Sequence, residues 1–381
     1  MKDFHRDTWI EVDLDAITHN VKQISKHIGE EQVVMAVVKA NAYGHGYVEV
    51  AKAALEAGAT WLAVAFLDEA IYLRKQGFEV PILIMGAVRP EDAGLAADHD
   101  IRATVFSADW LEQAAPYIEK TPLHVHFKLD TGMGRLGFTD SSEIRRAEEM
   151  ALALGTFNLE GVFTHFATAD EQDQSYADEQ HKRFIDMLSV FNSKPALIHA
   201  SNSAASLLRK NSVFNAVRFG ISMYGLVPSG EIRDLMPFQL RPVLSFKTTL
   251  VHVKKMKPGQ KISYGATYTA EQEEWIGTLP VGYADGWTRY MQGFEVLVNG
   301  VRAEIVGRVC MDQCMIRLPY ELKIGTMVTL VGKQGEEEIL LDDVADYAGT
   351  IHYESACLLT ARVPRVYLRN GHISSVLNGL K

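Results

Sequence analysis

Between about residues 33 and 220, short apolar runs alternate with longer amphipathic stretches, a pattern that calls for a parallel sheet with helical crossovers. The runs cover residues 33–40, 61–66, 81–86, 101–106, 123–129, 159–166, 196–200 and 213–219. Stretches such as 48–57 and 177–191 carry apolar residues at helical spacing, and Gly58, Gly77 and Gly155 stand where helices need a C-terminal glycine. Eight strands close a small barrel, and the span matches a barrel's usual size, so a (β/α)8 barrel is predicted, with an open doubly wound sheet as the alternative. Beyond about residue 240 the pattern changes. Alternating runs at 244–253, 275–283, 295–298, 302–309 and 327–331 are broken by Pro258-Gly259, Asn299-Gly300 and Gln334-Gly335. Asn-Gly between two apolar runs is a strong hairpin signal, so a β-rich second domain is expected. The predicted division is 11–240 for the barrel and 241–381, with 1–10, for the β-rich domain.

The chain has 381 residues, more than one hydrophobic core usually serves, which agrees with two domains. Its 38 Lys and Arg against 48 Asp and Glu give a formal charge of −10. That balance argues against a nucleic-acid or anionic-membrane partner, each of which needs a basic surface. Cys310, Cys314 and Cys357 are the only cysteines, and none forms a C-x-x-C pair. So sparse and odd a set fits reduced thiols in the cytoplasm rather than a disulfide framework. The opening Met1 to Asp7 lacks the apolar core of a secretory leader, and no apolar run is long enough to span a membrane.

In such a barrel, chemistry gathers at the carboxyl ends of the strands. The first run ends in Lys39, and the fifth in Lys128 and Asp130, followed by Arg135. The sixth ends at His165, the seventh at His199 just before Asn202 and Ser203, and the eighth at Arg218 before Gly220. Any one of these residues could be merely solvated, but five strand ends place ionisable groups on one face. Lys39 closes an apolar stretch, where desolvation favours the neutral amine that can condense with a carbonyl. Ser203 offers a hydroxyl, and Gly220 and Ile221 offer backbone N–H groups where barrels often bind phosphate.

The segment Val38-Lys39-Ala40-Asn41-Ala42-Tyr43-Gly44-His45-Gly46 resembles the pyridoxal-phosphate lysine motif of the bacterial alanine racemases. The resemblance continues through residues 130–137, 199–205, 217–221, 263–268, 282–286, 307–313 and 362–365, with Ser201 standing where the family usually has Ala. It implies a racemase that interconverts L- and D-alanine by a two-base mechanism, supplying D-alanine for peptidoglycan. Lys39 would carry the cofactor covalently and act on one face of the substrate Cα, and Tyr264 would act on the other. Tyr43, Ser203, Gly220, Ile221 and Tyr353 would hold the cofactor phosphate. Arg218 would meet the pyridine nitrogen, with His199 also on the cofactor's side. Arg135 and Met311 would bind the substrate carboxylate. His165, Lys128 (carbamylated in much of the family) and Asp312 would support these groups. A homodimer with shared active sites is implied, and no metal.

Beside this one stand a non-catalytic pyridoxal-phosphate carrier of the single-barrel kind, which would lack the β-rich domain, and three other readings. His124, His126, Lys128 and Asp130 share one strand face, which is also what a metal-dependent barrel hydrolase would need. A barrel-type amino-acid decarboxylase follows the same two-domain plan, but its characteristic cysteine motif is missing. The third is a racemase for serine or another small amino acid.

Overall fold

The computed structural model describes residues 4–381, so the first three residues of the opening segment read above lie outside it. By its contacts the chain forms two units: residues 16–42 with 47–241, and the residues up to Asp15 with 43–46 and 242–381.

The first strand, β1 (Thr8–Asp13), belongs to the β-rich unit, and the next eight build the barrel. They are β2 (Val33–Val37), β3 (Trp61–Val64), β4 (Ile82–Ile84), β5 (Ile101–Val105), β6 (Leu123–Lys128), β7 (Phe157–Phe163), β8 (Leu197–His199) and β9 (Ala216–Phe219). Each predicted run contains or overlaps one of them. Every ladder is parallel, and the strands follow one another in chain order except that β9 pairs with β2. The seam between β8 and β9 has separate backbone bonds in place of a ladder: Asn215 N–H donates to Ile198 O (3.4 Å) and Arg218 N–H to Ser201 O (3.0 Å). Strands buried on both faces read as continuous apolar runs, which is why these were visible in the sequence. The helix Ser141–Leu154 shows how the crossovers are bounded. The Asp140 carboxylate accepts from the Ser142 and Glu143 N–H groups at its start, and Gly155 ends it at φ 65°.

In the β-rich unit, β10 (Leu244–Thr249) lies antiparallel to β1, which pairs in parallel with Arg365–Arg369 on its other side. The same sheet holds Glu295–Val298, Val301–Glu304, Met327–Gln334, Glu337–Ile339 and His372–Leu377. Asn299 and Gly300, at φ 50° and 74°, turn the predicted hairpin. The run at 244–253 is not one strand, because the chain bends at Leu250 and Val251 and His252–Met256 joins a separate three-stranded sheet. Two helices that periodicity did not single out, Leu341–Ala348 and His352–Leu358, complete this unit. Among the described residues, no helix is long and apolar enough to cross a membrane.

Candidate active site

The barrel unit brings together Lys39, Lys128, Arg135, His165, His199, Ser203, Arg218, Gly220 and Ile221, all at or just past the carboxyl ends of strands. After β2 the backbone makes a left-handed turn without glycine, with φ 54°, 56° and 52° at Ala40, Asn41 and Ala42 and 51° at Tyr43. Each such residue costs about 1 kcal/mol or more, so the turn persists only if its surroundings hold it. Glu69 supplies part of that hold. One carboxylate oxygen accepts from Ala40 N–H (2.6 Å) and the Tyr47 hydroxyl (2.7 Å), and the other from Ala65 N–H (2.7 Å). Sequence reasoning missed Glu69, although an acid at the third position of the helix Leu67–Lys75 is a capping signal.

Arg218 is buried in the barrel mouth. One terminal nitrogen donates to His199 Nδ1 (2.7 Å) and His199 O (3.0 Å). The other donates to Thr164 O (2.8 Å), Ala200 O (3.0 Å) and His165 Nδ1 (3.2 Å). Nε has no hydrogen-bond partner among the described residues. Among the described residues, no carboxylate lies within ion-pair distance of it. Burial, followed by the charge of Arg135, lowers the Arg218 pKa to about 9, which still leaves it cationic at neutral pH. Burial and then Arg135 and Arg218 lower Lys128 to about 8. Burial and the same cations, with Lys39, hold His165 neutral, well below the usual imidazole range. A mouth so rich in positive charge, with few anions of its own, suits an anionic ligand.

Ser203 begins the helix Ser203–Leu208, and its hydroxyl accepts from Gly220 N–H (3.0 Å) and Ser222 N–H (3.4 Å). Two helical N-termini, the second at Ile221–Tyr224, are thereby tied together, and N–H groups of a first turn have no partner within it. Arg135 is exposed on the loop after β6. The Asp130 carboxylate accepts from Gly132 and Gly134 N–H (2.9 and 3.0 Å), and the loop's two ends are pinned by bonds between Lys128, Asp130 and Phe138. Ser201 uses its hydroxyl locally, donating to Ser212 O (2.7 Å). His126 has both ring nitrogens engaged, with His199 and Glu160, and no cluster of potential metal ligands occurs among the described residues.

The remaining predicted residues lie in the β-rich unit. Tyr264, Met311 and Asp312 line one recess of about 700 Å³, together with Ser263, Cys310 and Gln313. Tyr264 is 73% exposed on a short turn, and Met311 is 52% exposed. Asp312 accepts from Arg362 (2.5 Å). Tyr43 and Tyr353 have ring centroids 6.5 Å apart.

These residues fit pyridoxal phosphate. The barrel mouth has a lysine at a strand end, a hydroxyl and N–H cradle for phosphate, and a buried guanidinium whose one unpaired N–H can meet a ring nitrogen.

Comparison with known proteins places the chain. The alanine racemase N-terminal domain family matches residues 12–228, and the alanine racemase C-terminal domain family matches residues 243–367. The chain is 57% identical over 381 residues to the alanine racemase of Geobacillus kaustophilus strain HTA426, covering 100% of this chain and 99% of that protein. The crystal structure of alanine racemase from Bacillus anthracis with bound L-Ala-P superposes at a TM-score of 0.97 with 50% identity, covering 100% of this chain and 99% of that one. The histidine racemase from Leuconostoc mesenteroides is also similar, at a TM-score of 0.91 and 33% identity, with 96% and 99% covered.

Proposed function

The chain belongs to the alanine racemase family, and from that membership and its cationic barrel mouth we infer that it uses pyridoxal phosphate to interconvert L- and D-alanine. The observation that carries the reading is the enclosed Arg218, held by both terminal nitrogens with Nε left over for a ring nitrogen. Lys39 would hold the cofactor covalently. Ser203, Gly220, Ile221, Tyr43 and Tyr353 would hold its phosphate, and Arg218, braced by His199, its ring nitrogen. When bound, the cofactor supplies a conjugated ring that accepts the electron pair released as Cα loses its proton.

The chain's own residues do the rest. Racemisation removes a proton from one face of Cα and returns one to the other, so it needs two acid–base groups. Lys39 Nζ serves one face and the Tyr264 hydroxyl the other. His165 accepts from Arg218 at Nδ1, so its neutral ring carries its proton at Nε2 and can donate to the phenol oxygen. Arg135 and Met311 bind the substrate carboxylate, and Asp312 steadies the Met311 loop through Arg362. Carbamylation of Lys128 would turn its repulsion of Arg135 into attraction, fixing that side chain. The 73% exposure of Tyr264 supports a homodimer in which each Tyr264 serves the other copy's Lys39. The three free cysteines fit a cytoplasmic setting.

Selectivity for a small side chain would come from Tyr264, Tyr353 and Met311. One methylene is worth only about 1–3 kcal/mol, so slow turnover of serine is expected. Chiral chromatography of the purified protein incubated separately with L-alanine, L-serine and L-histidine tests the reading. Alanine should racemise fastest, and histidine turned over as fast as alanine would overturn the assignment. Borohydride reduction should bleach the visible absorption and label the Lys39 peptide. Refolding Lys39→Ala and Tyr264→Phe chains together should restore about a quarter of wild-type activity if sites are shared, because half the dimers are mixed and each has one intact site of two. A mixture that stays inactive despite verified heterodimers refutes sharing.

A further inference from the structure

The barrel interior answers how so enclosed a cation as Arg218 is neutralised. A line of side chains leads from it toward the amino-terminal end of the strands. Arg218 donates to His199 Nδ1 (2.7 Å), His199 Nε2 meets His126 Nδ1 (2.9 Å), and His126 Nε2 meets Glu160 Oε2 (3.4 Å). Arg102 Nε donates to the same carboxylate oxygen (3.1 Å), and His124 Nδ1 lies 3.7 Å from the other. Guanidinium cannot accept and carboxylate cannot donate, so the two ends fix every proton between them. His199 accepts at Nδ1 and carries its proton at Nε2, and His126 does the same. A second proton on either ring would set two N–H groups against each other.

The surroundings are built for this line. Val125 pairs with Leu159 and His126 with Gly161, so Glu160 is the extra residue of a bulge in β7, a device that re-aims a side chain. A Cβ on Gly161 would stand 2.6 Å from the His126 ring, so only glycine lets the imidazole lie there. Phe163 stacks on His199 at 4.7 Å and 7°, and Trp61 packs against His126 at 5.6 Å. Burial keeps both imidazoles neutral, and His126 and Arg102 outweigh the burial of Glu160 to hold its carboxylate ionised.

We propose that Glu160, acting through His126 and His199, is the remote counter-ion of Arg218, and that these three are positioning residues that set its orientation and effective charge at the cofactor's ring nitrogen. The proposal rests on the pyridoxal-phosphate reading above for its catalytic consequence, but its proton arrangement stands on the barrel alone.

The test pairs Glu160→Gln, which keeps an acceptor and removes the charge, with Glu160→Asp as the conservative variant. Nitrogen-15 NMR of histidine side chains in the cofactor-free protein should show His126 and His199 as neutral Nε2–H tautomers. In the loaded enzyme, Glu160→Gln should lower kcat roughly tenfold, the scale on which remote members of a network act. KM should stay near the wild-type value, the visible absorption should shift, and Glu160→Asp should restore part of each change. An Nδ1–H or doubly protonated ring overturns the chain of bonds. An active, coloured wild type whose Glu160→Gln variant keeps the same kcat and spectrum overturns the functional role. A wild type without colour or racemisation would refute the cofactor reading, and the imidazole spectra would still decide the proton arrangement.

Discussion

Among the described residues, the most deeply buried arginine of each unit, Arg218 in the barrel and Arg365 in the β-rich unit, is held differently. Arg365, in the β-rich unit, spends all three guanidinium nitrogens on backbone carbonyls. Nε donates to Gly44 O (2.9 Å), and the terminal nitrogens donate to Gly44, Leu359, Val363 and Thr360. Arg218, in the barrel, leaves Nε unpaired and shares its surroundings with Lys128, Arg135 and Lys39. Burial lowers both, Arg365 to about 10 and Arg218 to about 9, but only Arg218 is further lowered by a neighbouring cation. Burial alone therefore does not mark a functional residue. An unfinished donor set among like charges does, because an arriving ligand can complete the donors and offset the repulsion.

The comparison breaks first at stability. Arg365→Met strips donors from the buried carbonyls of Gly44, Leu359 and Val363, each costing about 1–3 kcal/mol when left unmet, and from Thr360, which keeps the Val363 N–H. Partial relaxation should bring the total to roughly 4 kcal/mol, a fall in Tm of about 10 °C, while turnover by the folded fraction is unchanged. Thermal unfolding followed by circular dichroism checks this. Arg218→Gln should behave in the opposite way. Removing a buried cation that repels Lys128 and Arg135 offsets the lost bonds, so Tm should fall less than in the Arg365 variant. Racemisation should drop about 10²-fold, near 3 kcal/mol, the usual effect of losing one preorganised donor. An Arg218→Gln protein that unfolds as early as Arg365→Met but turns over normally would erase the distinction.

Neither arginine's role was legible from sequence periodicity. The barrel's eight strands were, because strands buried on both faces are written as unbroken apolar runs, and Asn299-Gly300 announced its hairpin. The boundary of the barrel was not, since β1 alternates apolar and polar residues across the predicted division after residue 10, and only its pairing with β10 and Arg365–Arg369 places it in the other unit. At the site, strand-end position pointed to Lys39, Lys128, His165, His199 and Arg218. The left-handed turn at 40–43 gave no signal, because it uses Ala, Asn, Ala and Tyr where glycine would be expected. Glu160 sits within a predicted run, and the bulge that turns it inward depends on register, which a single sequence does not display.

A smaller effect sharpens the contrast in charge. Lys128 has its folded-state pKa lowered to about 8, against about 10.4 for an unfolded lysine. Below pH 8 both states are protonated and the repulsion from Arg135 and Arg218 acts in full. Between pH 8 and 10 the unfolded chain holds a proton that the native protein lacks, so stability rises with pH. In carbon-dioxide-free buffer, the wild type should gain roughly 2 kcal/mol over that window relative to Lys128→Met, measured by urea unfolding. Bicarbonate should remove the gain if Lys128 is carbamylated, since the modified side chain no longer titrates there. Among the described residues no cation shifts Arg365 to provide such a slope, so a gain that survives Lys128→Met must come from elsewhere and would detach the repulsion from Lys128.

The smallest effect concerns the face on which Arg218 lies. The Phe163 ring centroid is 5.2 Å from the Arg218 guanidinium and 5.7 Å from Lys128 Nζ, and the same ring stacks on His199. Arg365 is instead held by carbonyl oxygens. A cation over an aromatic face gains about 0.5–2 kcal/mol when desolvated, and Leu fills most of the volume of Phe without offering that face. Phe163→Leu alone would mix this loss with a change in packing, so the informative quantity is a coupling. A double-mutant cycle between Phe163→Leu and Arg218→Gln, read by urea unfolding, should give about 1 kcal/mol. The matching cycle between Phe163→Leu and Arg365→Met should give nothing beyond about 0.3–0.5 kcal/mol, the level at which distant sites add. Equal couplings in the two cycles would mean that Phe163 acts on general stability, and that the aromatic face does not belong to the arrangement that distinguishes Arg218.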